Sequence, residues 1–541
     1  MKFFARILTI GCIGALASFG ALTAQVGHGR FAERRAAVSG LPLAARIQAI
    51  VDDVTVNHAQ FGISVTTLDG QPVYRLNDGR LLMPASNAKL TTTAAAFALL
   101  PVETMRWVTH VAANGDVDAG GVLHGDIILQ GVGDPTLSAR TYPYRAPGAP
   151  AAPEAEGQPP RTAMTPLDLL AQQVVQAGVR TVTGNVIGDD SYFLDEPYGK
   201  AWGWDDLQWS YGAPVSALTF NDNATELTLA ADASAPGATV AQWDPNVDYY
   251  TLDNTMTPTP TGDVAHPGID RLPGSLLVRA WGTAPVNGLH VHLAVQDPAA
   301  FTAMAFKAAL LARGIRVDGG AESRHRLSNG TGDFVAERAQ PLMLNPTTQD
   351  RIMPPVMGTR VLAAHLSVPM AEDITVTNKE SQNLHAELLL RLLGKIFGSD
   401  GSFEQGTRVV RQFLVNAGVS DSDFFLYDGS GMSPDDRVTP RAFTQLLSYA
   451  ARQPWGEAWR DTLPVAGVDG TLENRFRGTP LAGHLWAKTG TLDEVTALSG
   501  YLTAASGKTL AFSIMVNGRR PGSGAEAHAI DLICEAIAAA D

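Results

Sequence analysis

Read from its sequence, the chain is an α/β (α+β) protein. An antiparallel sheet flanked by helices is assembled from both ends of the chain and interrupted by a large insertion rich in β structure. Three observations carry that expectation. Near the start, Phe61 to Val65 and Val73 to Leu76 flank Asp69-Gly70, which reads as a β-hairpin. At the other end, three strand candidates follow one another: His484 to Lys488, Val495 to Thr503 and Thr509 to Val516. Between them, residues 225–285 alternate in short β-like runs broken by Pro and Gly, as in a small all-β unit.

The remaining elements follow in order. Residues 25–41 are a mixed lead, and Leu43 to Val51 has helical spacing. Leu90 to Leu100 is an Ala/Leu-rich helix. Val108 to Val111 and Gly125 to Leu129 read as short strands, closing on Gly131-Val132-Gly133-Asp134-Pro135. Residues 139–165 are rich in Pro and Ala and read as an exposed loop or linker. Pro166 to Ala177 and Ala299 to Arg313 are helical, with strands at Gly184 to Gly188 and Ile315 to Val317. Leu384 to Leu393 is apolar enough for burial inside a domain, and a last helix runs from about Ala525 to Ala540. No repeat of 20–50 residues is apparent.

At 541 residues the chain exceeds what one hydrophobic core usually serves, so two or three domains are expected. Apolar content of 45% against 17% charged residues fits a folded globular protein. A net charge of −14 argues against nucleic acid or a polybasic membrane contact, both of which require clustered Lys and Arg. Eight lysines stand against thirty-two arginines, so a lysine inside a motif is informative: it can be deprotonated to act as a base, and arginine cannot.

Residues 1–24 read as a secretory signal: Lys2 and Arg6, an apolar run from Ile7 to Leu22, and a small-residue cleavage site at Ala21-Leu22-Thr23-Ala24. An uncleaved anchor is the other reading, although the run is short of the ~20 residues a span needs. Export implies a periplasmic protein with no integral membrane span after cleavage. Cys12 lies in the signal, which leaves Cys534 alone and no internal disulfide.

Three short motifs carry chemistry. Ser86 and Lys89, in Ser86-Asn87-Ala88-Lys89, share one face of a helix start, where hydroxyl and amine can meet. First-turn N–H groups there can also form part of an oxyanion site. Ser381-Gln382-Asn383 comes just before the buried helix, and Lys488-Thr489-Gly490-Thr491 ends a strand. Singly, each has a plain explanation: a surface pair, a helix cap, a turn closing an edge strand. Their occurrence in this order, in an exported chain poor in lysine, is much harder to produce by accident. No H-E-x-x-H, Cys-x-x-Cys or G-x-S-x-G is present, and nothing points to a metal or nucleotide cofactor.

On these motifs the sequence resembles the penicillin-binding proteins and serine β-lactamases, which carry S-x-x-K, S-x-N and K-T-G in this order. The 295 residues between Ser86 and Ser381 are too many for a β-lactamase. They look like the class C low-molecular-mass penicillin-binding proteins of peptidase family S13, the D-alanyl-D-alanine carboxypeptidases and endopeptidases of the penicillin-binding protein 4 type. Asp189-Asp190-Ser191, Gly212 to Ala217, Asn378-Lys379-Glu380-Ser381 and Asp428 to Ser433 agree. The resemblance implies a β-lactamase-like DD-peptidase domain from 42–111 and 360–541. Within it would lie an inserted domain of 112–224 and 286–359, with a small β subdomain at 225–285.

The resemblance also implies the chemistry. Ser86 would form an acyl-enzyme on stem peptides ending in D-Ala-D-Ala and would be acylated by β-lactams. Lys89 would be its base, its amine pKa lowered by Lys488 and burial, and Ser381 would relay a proton, tuned by Lys488. Asn383 would hold Lys89 and the substrate amide. Ser86 and Thr491 N–H groups would bind the oxyanion, and Thr489, Gly490 and Thr491 would line the subsite of the terminal carboxylate. Asp189 or Asp190 could bind a side-chain ammonium of the stem peptide, a turn or cap aspartate being the plainer reading. Asp428 and Ser430 read as turn residues. The rivals are an esterase- or β-lactamase-like hydrolase on the same scaffold, and a slow peptidoglycan-binding protein. Ser86→Ala is expected to abolish labelling by a fluorescent penicillin, and labelling retained at another serine would refute the assignment.

Overall fold

The computed structural model describes residues 41–149, 161–330, 332–345, 356 and 358–540. The signal segment and positions 150–160 of the Pro/Ala-rich stretch lie outside them.

The two ends of the chain build one five-stranded antiparallel sheet, in the order Leu485–Leu492, Val495–Thr503, Thr509–Asn517, Gln60–Thr67, Pro72–Leu76. The N- and C-terminal halves are paired from Gln60 opposite Asn517 to Thr67 opposite Leu510. Side chains alternate along each strand, so each strand feeds two cores. Leu510, Phe512, Ile514 and Val516 face the terminal helices Leu43–Val51 and Ala525–Ala538, against Ile47, Ile530 and Ile533. Ala511 and Met515 face the helices Lys89–Leu99, Asn383–Phe397 and Pro440–Ala450. Burial on both faces explains why these strands read as nearly continuous apolar runs.

The insertion carries a seven-stranded sheet around Val108–Val117 and Val122–Gln130, both longer than the sequence implies. Val108–Val117 pairs with Arg360–Leu366. The chain therefore crosses between the sheets at 100–107 and 367–370, rather than at 111 and 360. The two crossings are tied together: Ser367 N donates to Trp107 O, and Trp107 N to Ser367 Oγ. The β-rich unit beginning at Ala224 continues to Ala294, because Leu289–Ala294 pairs with Ala224–Ala231. Its Leu227, Leu229, Tyr249 and Val278 share one core with Leu129, Phe220 and Phe301 of the larger unit.

Two glycines set how closely the parts approach the turn that carries Ser86. A Cβ on Gly490 would lie 2.6 Å from Pro84 O, and one on Gly431 only 1.8 Å from Ala85 O. Gly431 also has φ +80°, a conformation that costs other residues roughly 1–2 kcal/mol. Gly418 has a similar φ of +90° but open space around it. Both alanine variants are expected to lower the melting temperature. Only Gly431→Ala should also slow penicillin labelling, by at least tenfold, and equal labelling rates for the two would contradict this packing.

Candidate active site

Ser86 lies in a single 3-10 turn, Ala85–Ala88, that runs directly into the helix Lys89–Leu99. Ala85 at its start has φ +48°. The turn presents Ser86 half-buried at the surface of the cleft, while Lys89 points inward with no solvent exposure. Lys89 Nζ donates to Ser86 Oγ at 2.9 Å, to Asn383 Oδ1 at 2.7 Å and to Ser430 O at 2.9 Å. All three ammonium donors are thus satisfied, which is the condition for burying such a group at all. Burial nevertheless lowers its pKa from 10.5 to about 7, against the opposing pull of the Glu387 and Asp428 carboxyls.

Ser381 sits at φ +62°, uncommon for a residue with a side chain. The helix cap falls one position later than the plain reading of Ser381 would have it: Gln382 accepts from Leu384 N, and Asn383 opens the helix. Asn383 faces two ways, Oδ1 accepting from Lys89 and Nδ2 donating to Tyr211 O at 2.9 Å and to Met432 Sδ at 3.8 Å. Ser381 Oγ accepts from Lys488 Nζ at 2.8 Å, and Lys488 also donates to Thr489 O. Lys488 is fully buried, and burial together with the neighbouring Lys89 ammonium pushes its pKa well down. The reciprocal cause expected for Lys89 is replaced by burial alone.

The Lys488 motif is in the interior of the strand Leu485–Leu492, not at its end. This strand is the sheet's edge, and part of its free side is used: Ala487 N donates to Pro464 O, and Ala466 N donates to Leu485 O. Backbone direction repeats every two residues, so the N–H groups of Thr489 and Thr491 point off the same free side, toward the cleft. Thr489 Oγ1 lies 2.7 Å from Thr471 Oγ1, which orients its hydroxyl. Gly490 lets the strand close on the Ser86 turn.

The structure therefore brings together Ser86, Lys89, Ser381, Asn383, Lys488, Thr489, Gly490 and Thr491. It does not bring Asp189 to them. That side chain is 1% exposed in the seven-stranded sheet, accepting from Ser191 N and Oγ and from Arg324 Nη1. Asp190 is likewise taken up by Ser216 and His325. Both are internal fastenings of the insertion. Asp206 accepts from the hydroxyl of Tyr211, whose carbonyl holds Asn383. Burial raises its pKa, and so do the neighbouring carboxylates of Asp205 and Asp493. The sequence signal around it is the aromatic and acidic run Trp202-Gly203-Trp204-Asp205-Asp206.

Sequence reasoning also missed three supports. Ser430 contributes its carbonyl to Lys89, whereas its place in a turn was expected. That turn is held by Asp428, accepting from Gly431 N, Ser433 N and Trp202 Nε1. Glu387, fully buried one turn into the helix, accepts from the N–H groups of Gly429 and Ser430. Burial and Asp428 raise its pKa to about 8.

The profile of the D-Ala-D-Ala carboxypeptidase 3 (S13) family matches residues 43–344 and 348–538. A D-alanyl-D-alanine carboxypeptidase of an Actinomadura species is 33% identical over 486 residues, covering 87% of this chain and 80% of its own length. The D-alanyl-D-alanine carboxypeptidase DacB of Haemophilus influenzae is 26% identical over 456 residues, 82% of each chain. The crystal structure of penicillin binding protein 4 from Haemophilus influenzae superposes with a TM-score of 0.72 at 21% identity, over 91% of this chain and 98% of its own, and has the same fold.

Lys89 loses its proton near pH 7 and only the neutral amine has a lone pair for Ser86. The rate of acylation by a β-lactam is accordingly expected to rise about tenfold per pH unit below about 7 and to level above it. Second-order acylation rates measured from pH 5 to 9 check this, and a flat profile would exclude Lys89 as the base.

Proposed function

The chain belongs to the D-Ala-D-Ala carboxypeptidase 3 (S13) family and is a serine-type DD-peptidase, and we propose that Ser86 is its nucleophile and Lys89 its base. One observation supports this assignment above the rest. Of the three partners of Lys89 Nζ, Asn383 Oδ1 and Ser430 O can only accept. A neutral amine spends its two hydrogens on them, so its lone pair is left facing Ser86 Oγ, the one partner with a proton to give.

Ser86 Oγ then adds to the carbonyl carbon between two D-alanines while its proton passes to Lys89. The oxyanion lies between the backbone N–H groups of Ser86 and Thr491. As the C–N bond breaks, Ser381 gives its hydroxyl proton to the departing D-alanine nitrogen and is resupplied from Lys488, 2.8 Å away. Water next attacks the acyl-enzyme and gives a proton to Lys488, which restores that ammonium, while Ser86 Oγ leaves with the proton that Lys89 has held, so serine and both lysines return to their starting states. The peptide lies as an added strand along Thr489 to Thr491, with its terminal carboxylate against the two threonine hydroxyls and the Lys488 charge. A penicillin acylates the same serine.

The substrate is the peptidoglycan stem peptide and its cross-links, met in the periplasm after export through residues 1–24. Asp206, with Asp205 and Asp493 nearby, supplies the negative subsite for a side-chain ammonium of that peptide, in place of Asp189. Pentapeptides ending in D-Ala-D-Ala, with and without that ammonium, and cross-linked muropeptides test the reading together. Wild type is expected to release D-alanine and open cross-links, and Ser86→Ala to do neither. Asp206→Ala should lose about ten- to a hundredfold in kcat/KM on the ammonium-bearing peptide only. Unchanged peptides with wild type would leave a binding protein instead.

A further inference from the structure

Residues 140–144, within the 139–165 stretch expected to be an exposed loop or linker, are fastened to the catalytic domain at three points. Arg140 is bound to two carboxylates: its Nε donates to Asp222 Oδ2 at 2.8 Å, and its Nη1 to Glu380. The Tyr142 hydroxyl donates to Asp373 Oδ1 at 2.9 Å. The Tyr144 hydroxyl accepts from Gly470 N, next to the Thr471 that holds Thr489. Behind them, fully buried His385 bridges two carboxylates, with Nε2 3.2 Å from Asp222 and Nδ1 2.9 Å from Asp373. Burial opposes its charge, yet Asp373 and Asp222 raise its pKa to about 9.

The pattern around Ser381 is what gives this network a meaning beyond adhesion. Glu380 before it goes to Arg140, and Gln382 after it donates to Asp222 at 3.2 Å. His385, at the start of the same helix, goes to Asp222 as well. The residues on both sides of Ser381 thus converge on one pair, Arg140 and Asp222, neither of which belongs to the catalytic sheet or its helices. Ser381 itself is in a left-handed conformation, and so is Asp222 at φ +55°. A non-glycine residue persists there only when its surroundings hold it.

We propose that Arg140, with Asp222, is a positioning residue for catalysis, the clamp that fixes Ser381 and Asn383 at the distances their chemistry needs. The proposal rests on Ser86 acylation as proposed above. Released from the clamp, Ser381 relaxes toward an ordinary backbone conformation. Its hydroxyl then leaves the line between Lys488 and the departing nitrogen, while the free edge of Thr489 to Thr491 still binds ligand. The loss therefore falls on the chemical step and not on binding.

Stopped-flow acylation by a chromogenic cephalosporin separates the two. Arg140→Ala is expected to lower the limiting acylation rate constant about ten- to a hundredfold, with the half-saturating concentration changed less than twofold. Arg140→Lys, able to reach one carboxylate at a time, should lie between. Because Arg140 is 24% exposed, millimolar guanidinium should restore Arg140→Ala several-fold, and ammonium should not. Gln382→Ala, which keeps the ion pairs, should show a smaller loss in the same constant and guards against a misfolded variant. A limiting rate within twofold of wild type in Arg140→Ala would overturn the proposal. So would a loss matched by a fall in melting temperature with no rescue by guanidinium, which is the behaviour of a plain domain staple. Wild type that is never acylated would instead refute the nucleophile assignment.

Discussion

Two lysine amines in one fully buried neighbourhood are the constraint on which the rest of the site depends. Neither Lys89 nor Lys488 reaches solvent. Burial lowers the Lys89 pKa from 10.5 to about 7, because the charged form is costly to keep out of water. Such a group is stable only where every hydrogen finds an acceptor. Its partners come from positions 86, 383 and 430, and those of Lys488 from 381 and 489. Each motif is thus the hydrogen-bond complement of another. The burial that brings them together in the fold is the same one that lowers the Lys89 pKa to about 7.

Burial reaches the surrounding loops through the same logic. Ser430 can offer its carbonyl because Asp428 and Glu387 take up the N–H groups of that turn. Glu387 in turn stays buried because those N–H groups answer it. The Ser86 turn is wedged between this loop and the Lys488 strand, with glycine at the point of closest approach on each side. The geometry of one hydroxyl–amine pair is therefore fixed by close packing on two sides, with no slack of a methyl group in either direction.

How much of this was legible follows from the range of the interactions. The helices and the sheet strands could be read because their apolar periods are local properties of a few residues. The motif serines and lysines could be read because few residue types perform acyl transfer. Asp189 was placed wrongly because a buried carboxylate fastening Arg324 and a carboxylate facing a cleft look alike in a sequence. The strand Val108–Val117 was cut short because its outer half, with Asn114, Gly115 and Asp116, lacks apolar residues although its backbone is paired. Arg140, Tyr142 and Tyr144 vanished into a Pro/Ala-rich stretch because their partners lie more than eighty residues away or further.

The long insertion acquires a different meaning from those distant partners. It meets the catalytic domain around the groups the chemistry uses: Tyr211 O holds Asn383, Trp202 Nε1 holds Asp428, and Asp222 holds Gln382 and His385. The five-stranded sheet and its helices supply Ser86 and both lysines. They leave the free edge at Thr489 to Thr491 open on one side and the Ser381 loop in a conformation that ordinary backbone preference does not favour. The insertion supplies the opposite wall and the holding contacts. A domain that merely enlarged the protein would have no reason to spend buried polar groups on these three loops, because each such group must be matched to its partner or it destabilises the fold. The match at all three is what makes the insertion part of the site's geometry.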